Sequence, residues 1–88
     1  MPKNQMGSLM VTEITNLSSQ KLFWFDGQFI GPLSSGKTLR LFGWFWIQSK
    51  GGKVVLAKGD HQLEKHGLKF EITRDPQNTT FVVITDLS

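Results

Sequence analysis

Apolar and polar residues alternate from Leu68 to Thr73, with Leu68, Phe70 and Ile72 on one side and Lys69, Glu71 and Thr73 on the other. A period of two is that of a half-buried strand with one wet face. Asp75-Pro76 then supplies a turn, with proline preset for the second turn position. The run Phe81-Val82-Val83-Ile84 within Thr80 to Thr85 is apolar on both faces, as in a central strand. These two segments predict a hairpin with a longer loop. A second hairpin is expected around Ser49 to Gly52, pairing 45–48 with 53–57. A third centres on Asp26-Gly27, a two-residue hairpin signal, with arms 21–25 and 28–31. An opening strand over 10–16 and another over 37–41 complete the pattern. No long segment has helical periodicity, and His61 to His66 reads as one helical turn or a loop. Short strands separated by frequent turn signals predict an all-β fold, a small sandwich or barrel of about seven short antiparallel strands.

The segment after Thr38 changes this picture most. If one strand ran through to Gln48, Leu39, Leu41, Phe45 and Ile47 would share a core face. Arg40, Phe42, Trp44 and Trp46 would share the other. An aromatic stripe on an outer face marks a contact surface, because flat rings stack on bases, sugars or partner side chains. The opposite reading stands beside it. Gly43 as a bulge would flip the parity and turn some rings into the core. Trp24 carries the same two readings, on the face opposite Phe23 and Phe25. The candidate binding residues are therefore Arg40, Phe42, Trp44, Trp46 and Trp24.

Composition sets the scale. A chain of 88 residues is one domain at most, expected as a flexible N-terminal segment over 1–8 and a single β domain over 9–88. Such a chain buries only roughly 60–65% of its unfolded surface, so its core is thin. Seven Phe and three Trp argue against disorder. The absence of cysteine excludes disulfides, thiolate zinc sites and a cysteine nucleophile. With no stretch of signal-peptide length at the start, it leans the expectation toward a cytoplasmic setting. The longest apolar run, Leu41 to Ile47, is far below the ~20 residues of a membrane-spanning helix. A net charge of +3 permits acidic partners, but the basic residues are dispersed.

Motifs for catalysis or cofactors do not survive their context. Gly31 to Thr38 spells G-x-x-x-x-G-K-T, the phosphate-binding loop. That chemistry needs a strand before the loop and a helix after it, so that amides face the phosphates. Here the letters are followed by Leu39-Arg40-Leu41-Phe42-Gly43, which favours a strand, and the segment reads as a β-turn. Asp60, His61, Glu64 and His66 form a faint metal-like cluster. The five-residue histidine spacing suits neither a helix face nor a strand face, so a solvated loop is expected. Asn16-Leu17-Ser18 and Asn78-Thr79-Thr80 match the glycosylation pattern and read as turn and strand-edge residues. No cofactor, metal or catalytic residue is expected.

Phe23-Trp24-Phe25-Asp26-Gly27-Gln28-Phe29-Ile30-Gly31 resembles the strand–Asp-Gly–strand core of small bacterial modules of the PEGA type. That resemblance implies a β fold used as a surface or envelope interaction module, although the family's later Gly-rich strand pair has no counterpart here. Lys21 to Phe25 also resembles a cold-shock-domain strand, without that family's second aromatic motif. The expected function is a non-enzymatic interaction or assembly module that contacts a protein partner or its own copies. The contact would use an aromatic strand face or an exposed strand edge. Two alternatives stand: a single-stranded nucleic-acid binder of OB-like type, with Lys37, Arg40, Lys50 and Lys53 flanking the rings, and a carbohydrate-binding module.

Overall fold

Alternating burial builds every long strand of this chain. The computed structural model describes residues 11–60 and 64–87. Among them are nine strands: β1 (Val11–Asn16), β2 (Leu22–Phe25), β3 (Ile30–Leu33), β4 (Thr38–Phe42), β5 (Trp46–Ser49), β6 (Val54–Ala57), β7 (Glu64–Lys65), β8 (Leu68–Arg74) and β9 (Thr79–Asp86). The described residues are all-β. They form two sheets, one ordered β4-β1-β9-β8-β7 and the other β3-β2-β5-β6. The expected flexible segment over 1–8 and the first residue of the opening strand, Met10, lie outside the described residues, as does His61.

The three expected hairpins are present: β8 with β9, β5 with β6, and β2 with β3. β9 is a central strand, flanked by β1 and β8. Four expectations are corrected. The described strands number nine rather than about seven. They are not all antiparallel, because β9 lies parallel to β1, from Thr79 beside Val11 to Ile84 beside Asn16. No turn joins these two strands, so no local signal reports their direction. Of the segment expected as a helical turn or loop, residues 61–63 lie outside the described residues, and Glu64–Lys65 is a short strand. Glu64–Lys65 pairs with Leu68 and Lys69 around a tight turn at His66-Gly67. Both turn residues have positive φ, 53° and 80°, as a twisted two-residue hairpin requires. Finally, the Asp26-Gly27 hairpin turns one residue later than its letters suggest. Asp26 N–H donates to the Phe29 carbonyl, and the Asp26 carboxylate accepts the amides of Gln28 and Phe29. Gly27, with φ of 96°, takes the first central position.

One core lies between the sheets. Ile14, Leu41, Leu68, Phe70, Val82 and Ile84 come from the five-stranded sheet, and Leu22, Leu33, Ile47, Val55 and Leu56 from the other. Val55 and Leu56 are consecutive yet both buried, because the register with β5 shifts between Ile47 and Gln48. This β-bulge turns both side chains inward. Aliphatic residues carry most of the core. Of the ten aromatic rings in the chain, only Phe45 and Phe70 are fully buried. The remaining rings are half-buried or exposed, and that distribution positions the candidate site.

The polar centre of the fold is Asn16. It is fully buried, so no glycan can occupy it. Its amide donates to the carbonyls of Gln20 (2.9 Å) and Leu33 (2.8 Å). Its side-chain oxygen accepts the Ser18 amide and hydroxyl. One side chain thus fastens the β1–β2 connection to the end of β3. The Gly31–Thr38 segment runs strand, turn, strand with no helix after it. Its Gly36 and Lys37 amides donate to the Asn16 and Ser34 carbonyls, so they do not face an open cradle.

Candidate functional site

The side-chain parity from Leu39 to Ile47 holds across Gly43. Leu41, Phe45 and Ile47 are buried, while Phe42 and Trp44 are 61% and 51% exposed. Gly43, with φ of 80°, redirects the chain from one sheet to the other without flipping the faces. The expected stripe is therefore split. Arg40 and Phe42 project from β4, on the five-stranded sheet, where Arg40 pairs with Glu13 of β1 at 3.3 Å. Trp44 lies in the crossing, and Trp46 opens β5 on the four-stranded sheet.

On that second sheet the rings gain partners from β2. Register sets Phe25 beside Trp46 and Phe23 beside Gln48, all on the outer face. Phe25 and Trp46 have centroids 5.1 Å apart, Trp44 and Trp46 5.3 Å, and Phe25 and Trp44 6.0 Å. The edge-to-face geometry of Trp44 on both neighbours is the favoured one for aromatic quadrupoles. Trp46 is held by its indole N–H, which donates to Gln48 Oε1 at 2.8 Å. The Trp44 ring also lies beside the hairpin turn, where a Cβ added at Gly27 would meet it at 3.7 Å. Across the sheet, Ile30 and Pro32 of β3 continue the face beside Phe25 and Phe23, and Ala57 of β6 sits beside Trp46.

The strand positions on this face carry no charge. Its charges lie at the ends. Lys21, Lys50 and Lys53 flank the end where β2 begins and β5 finishes, and Lys21 Nζ stands 5.7 Å from the Phe23 ring centroid. Asp26 flanks the opposite end. The Phe29 and Gln28 amides hold its carboxyl below the ordinary aspartate value. Phe29 and Ile30, 60% and 59% exposed, extend the apolar surface past that end. Trp24 lies elsewhere. It is on the inner face with Leu22, packed against the core, and its indole covers Gly31 on the neighbouring strand.

Phe23, Phe25, Ile30 and Pro32 were not among the sequence candidates. Their period-two placement put Phe23 and Phe25 on one face, but only the pairing of β2 with β5 sets that face beside Trp46.

Strand edges form a second candidate surface. Asp26 bonds Phe29, so alternation points the backbone groups of Ile30 and Pro32 outward from β3. Pro32 has no N–H to offer there, a common guard against strand addition. On β6 the Ala57 amide is taken by the Asp60 carboxylate at 2.8 Å. On β4, Asn16 N–H bonds the Lys37 carbonyl, which turns the backbone groups of Thr38, Arg40 and Phe42 outward. No described strand covers them.

Among the described residues no three His, Cys, Asp or Glu side chains converge as metal ligands. No described helix is long and apolar enough to cross a membrane. Comparisons with protein-family models, with curated proteins and with solved structures find no match to this chain.

Proposed function

We propose that this chain is a non-catalytic interaction module, a small β-sandwich whose working surface is the aromatic outer face of its four-stranded sheet. The contact is with a protein surface, that of a second copy of the chain. The observation that carries this reading is the uncharged cluster of Phe25, Trp44 and Trp46 on an outer face, in a domain that buries only two of its ten rings. Large apolar side chains left together outside mark a contact surface, and Trp is enriched among residues that dominate interface energetics.

Charge selects the orientation of such a pair. Face-to-face stacking with strands parallel would set Lys21, Lys50 and Lys53 against the same lysines. Stacking with strands antiparallel sets them near Asp26 of the other copy. Magnitude selects the strength. Four strands at ~4.8 Å spacing and four residues at ~3.3 Å give a face of roughly 19 by 13 Å. That is smaller than the ~800 Å² per partner of a standard stable interface. The association is therefore weak and concentration-dependent.

Sedimentation velocity over a concentration series tests this. The wild type is expected to shift toward dimer as concentration rises, and Trp44→Ala with Trp46→Ala to remain monomeric with an unchanged circular dichroism spectrum. Equal association of both proteins would refute the assignment. Oligonucleotide binding that weakens steeply with salt would select the nucleic-acid reading instead, and salt-insensitive glycan binding the carbohydrate reading. The separation of Arg40 from Trp46 onto different sheets counts against the first of these.

A further inference from the structure

The sheets part beside β6. A cavity of about 270 Å³ opens between β6 and the β1, β9 and β8 strands that face it. Its walls are apolar: Phe45, Leu56 and Val82 are buried, and Ile72 is half-buried.

Strand register arranges the polar groups of this cavity in a row. Thr12 of β1 lies beside Thr80 of β9, and Thr80 lies beside Arg74 of β8. All three line the cavity. The next row toward the core is Ile14, Val82 and Ile72, entirely apolar. At ~4.8 Å between strands, the polar row spans roughly 10 Å.

Two members of that row lack partners. Thr12 is 3% exposed, yet its hydroxyl has no hydrogen-bond partner among the described residues. A buried hydroxyl is ordinarily bonded. Arg74 is exposed at the rim, and no described carboxylate lies within ion-pair distance of it. Lys58 and Asp60 complete the rim. The Asp60 carboxylate is engaged by the Ala57 amide. Among the described lining residues, two cations against one anion leave a net charge of +1.

We propose that this cavity binds a small amphipathic carboxylate, an aliphatic or aryl carboxylic acid. The Arg74 guanidinium takes the carboxylate, the Thr80 and Thr12 hydroxyls donate to the carboxylate lone pairs that the guanidinium fork leaves free, and the apolar body rests between Val82 and Leu56. A guanidinium fork matches a carboxylate in a bidentate manner. Apolar walls with a few convergent polar groups are the ordinary make-up of a small-molecule site. The row geometry argues against a bare inorganic anion, which would leave the apolar walls unused. This proposal does not depend on the aromatic outer face.

The test is methyl-resolved NMR of the full chain, titrated separately with sodium hexanoate, 1-hexanol and inorganic phosphate. Hexanoate is expected to give saturable shifts centred on the Val82, Leu56 and Ile72 methyls, with hexanol weaker and phosphate without effect on them. Arg74→Gln, at an exposed position, is expected to weaken hexanoate binding roughly tenfold or more, the usual consequence of losing a charge-assisted bond. Thr12→Val keeps shape and removes the lone hydroxyl. It is expected to weaken hexanoate while leaving the melting temperature equal or higher. Non-saturating shifts, equal binding of hexanol and hexanoate, or hexanoate binding unchanged in Arg74→Gln would overturn the proposal.

Discussion

Asn16 illustrates how one side chain can be decisive in a thin core. It donates to the carbonyls of Gln20, in the β1–β2 connection, and Leu33, at the end of β3, and accepts from Ser18, with no solvent to substitute. Asn16→Ala strands those carbonyls and is expected to lower unfolding free energy by ~2–4 kcal/mol, read by urea denaturation. Thr15→Ala, one residue away, removes an exposed Thr15–Thr38 hydrogen bond and should cost under ~0.5 kcal/mol. Gly31 is the other sensitive position. A Cβ there would stand 2.6 Å from the Trp24 indole nitrogen, so Gly31→Ala must displace a ring packed on the core. A loss of ~1–3 kcal/mol is expected, with a shift in Trp24 fluorescence.

At the scale of elements, hairpins were legible because turn chemistry is local. The β8–β9 pair follows from strict alternation and Asp75-Pro76, and both ends of that turn are closed by Asp75. The Asp26-Gly27 turn was legible as a hairpin but not in register, because the Asp26 carboxylate, rather than the strand ladder alone, receives the Gln28 and Phe29 amides. Two elements left no signal. β7 has two residues and no apolar alternation, and the parallel β1–β9 pairing joins opposite ends of the chain. The Asp26 turn carries a pH prediction. Its carboxyl is held below the ordinary aspartate value by those amides, so the charged form is favoured in the folded state. The stabilisation is fully present above the ordinary value of about 3.9 and is lost as pH falls through the lower folded value. Wild type should therefore melt higher than Asp26→Asn near pH 7, with the gap closing below about pH 4. A gap that persisted in acid would place the stabilisation elsewhere.

At the scale of the whole molecule, the parity of the 39–47 stretch was legible from the sequence, and the sheet to which each ring belongs was not. Alternation places Trp44 and Trp46 opposite Phe45 and Ile47 regardless of where the strand sits. The passage from one sheet to the other at Gly43 decides that Trp46 meets Phe25 and that Arg40 meets Glu13 instead. Alternation along β2 places Trp24 on the inner face beside Ile47, away from the other two indoles. That separation supplies an internal control for the proposed contact. The most direct measurement is a dilution series of proton–nitrogen correlation spectra, following the three indole N–H signals. The Trp44 and Trp46 indoles, with the Phe25 and Ile30 amides, are expected to move with protein concentration while the Trp24 indole stays fixed. Fixed positions for all three, or movement confined to Thr38, Arg40 and Phe42 on the open edge of β4, would contradict it.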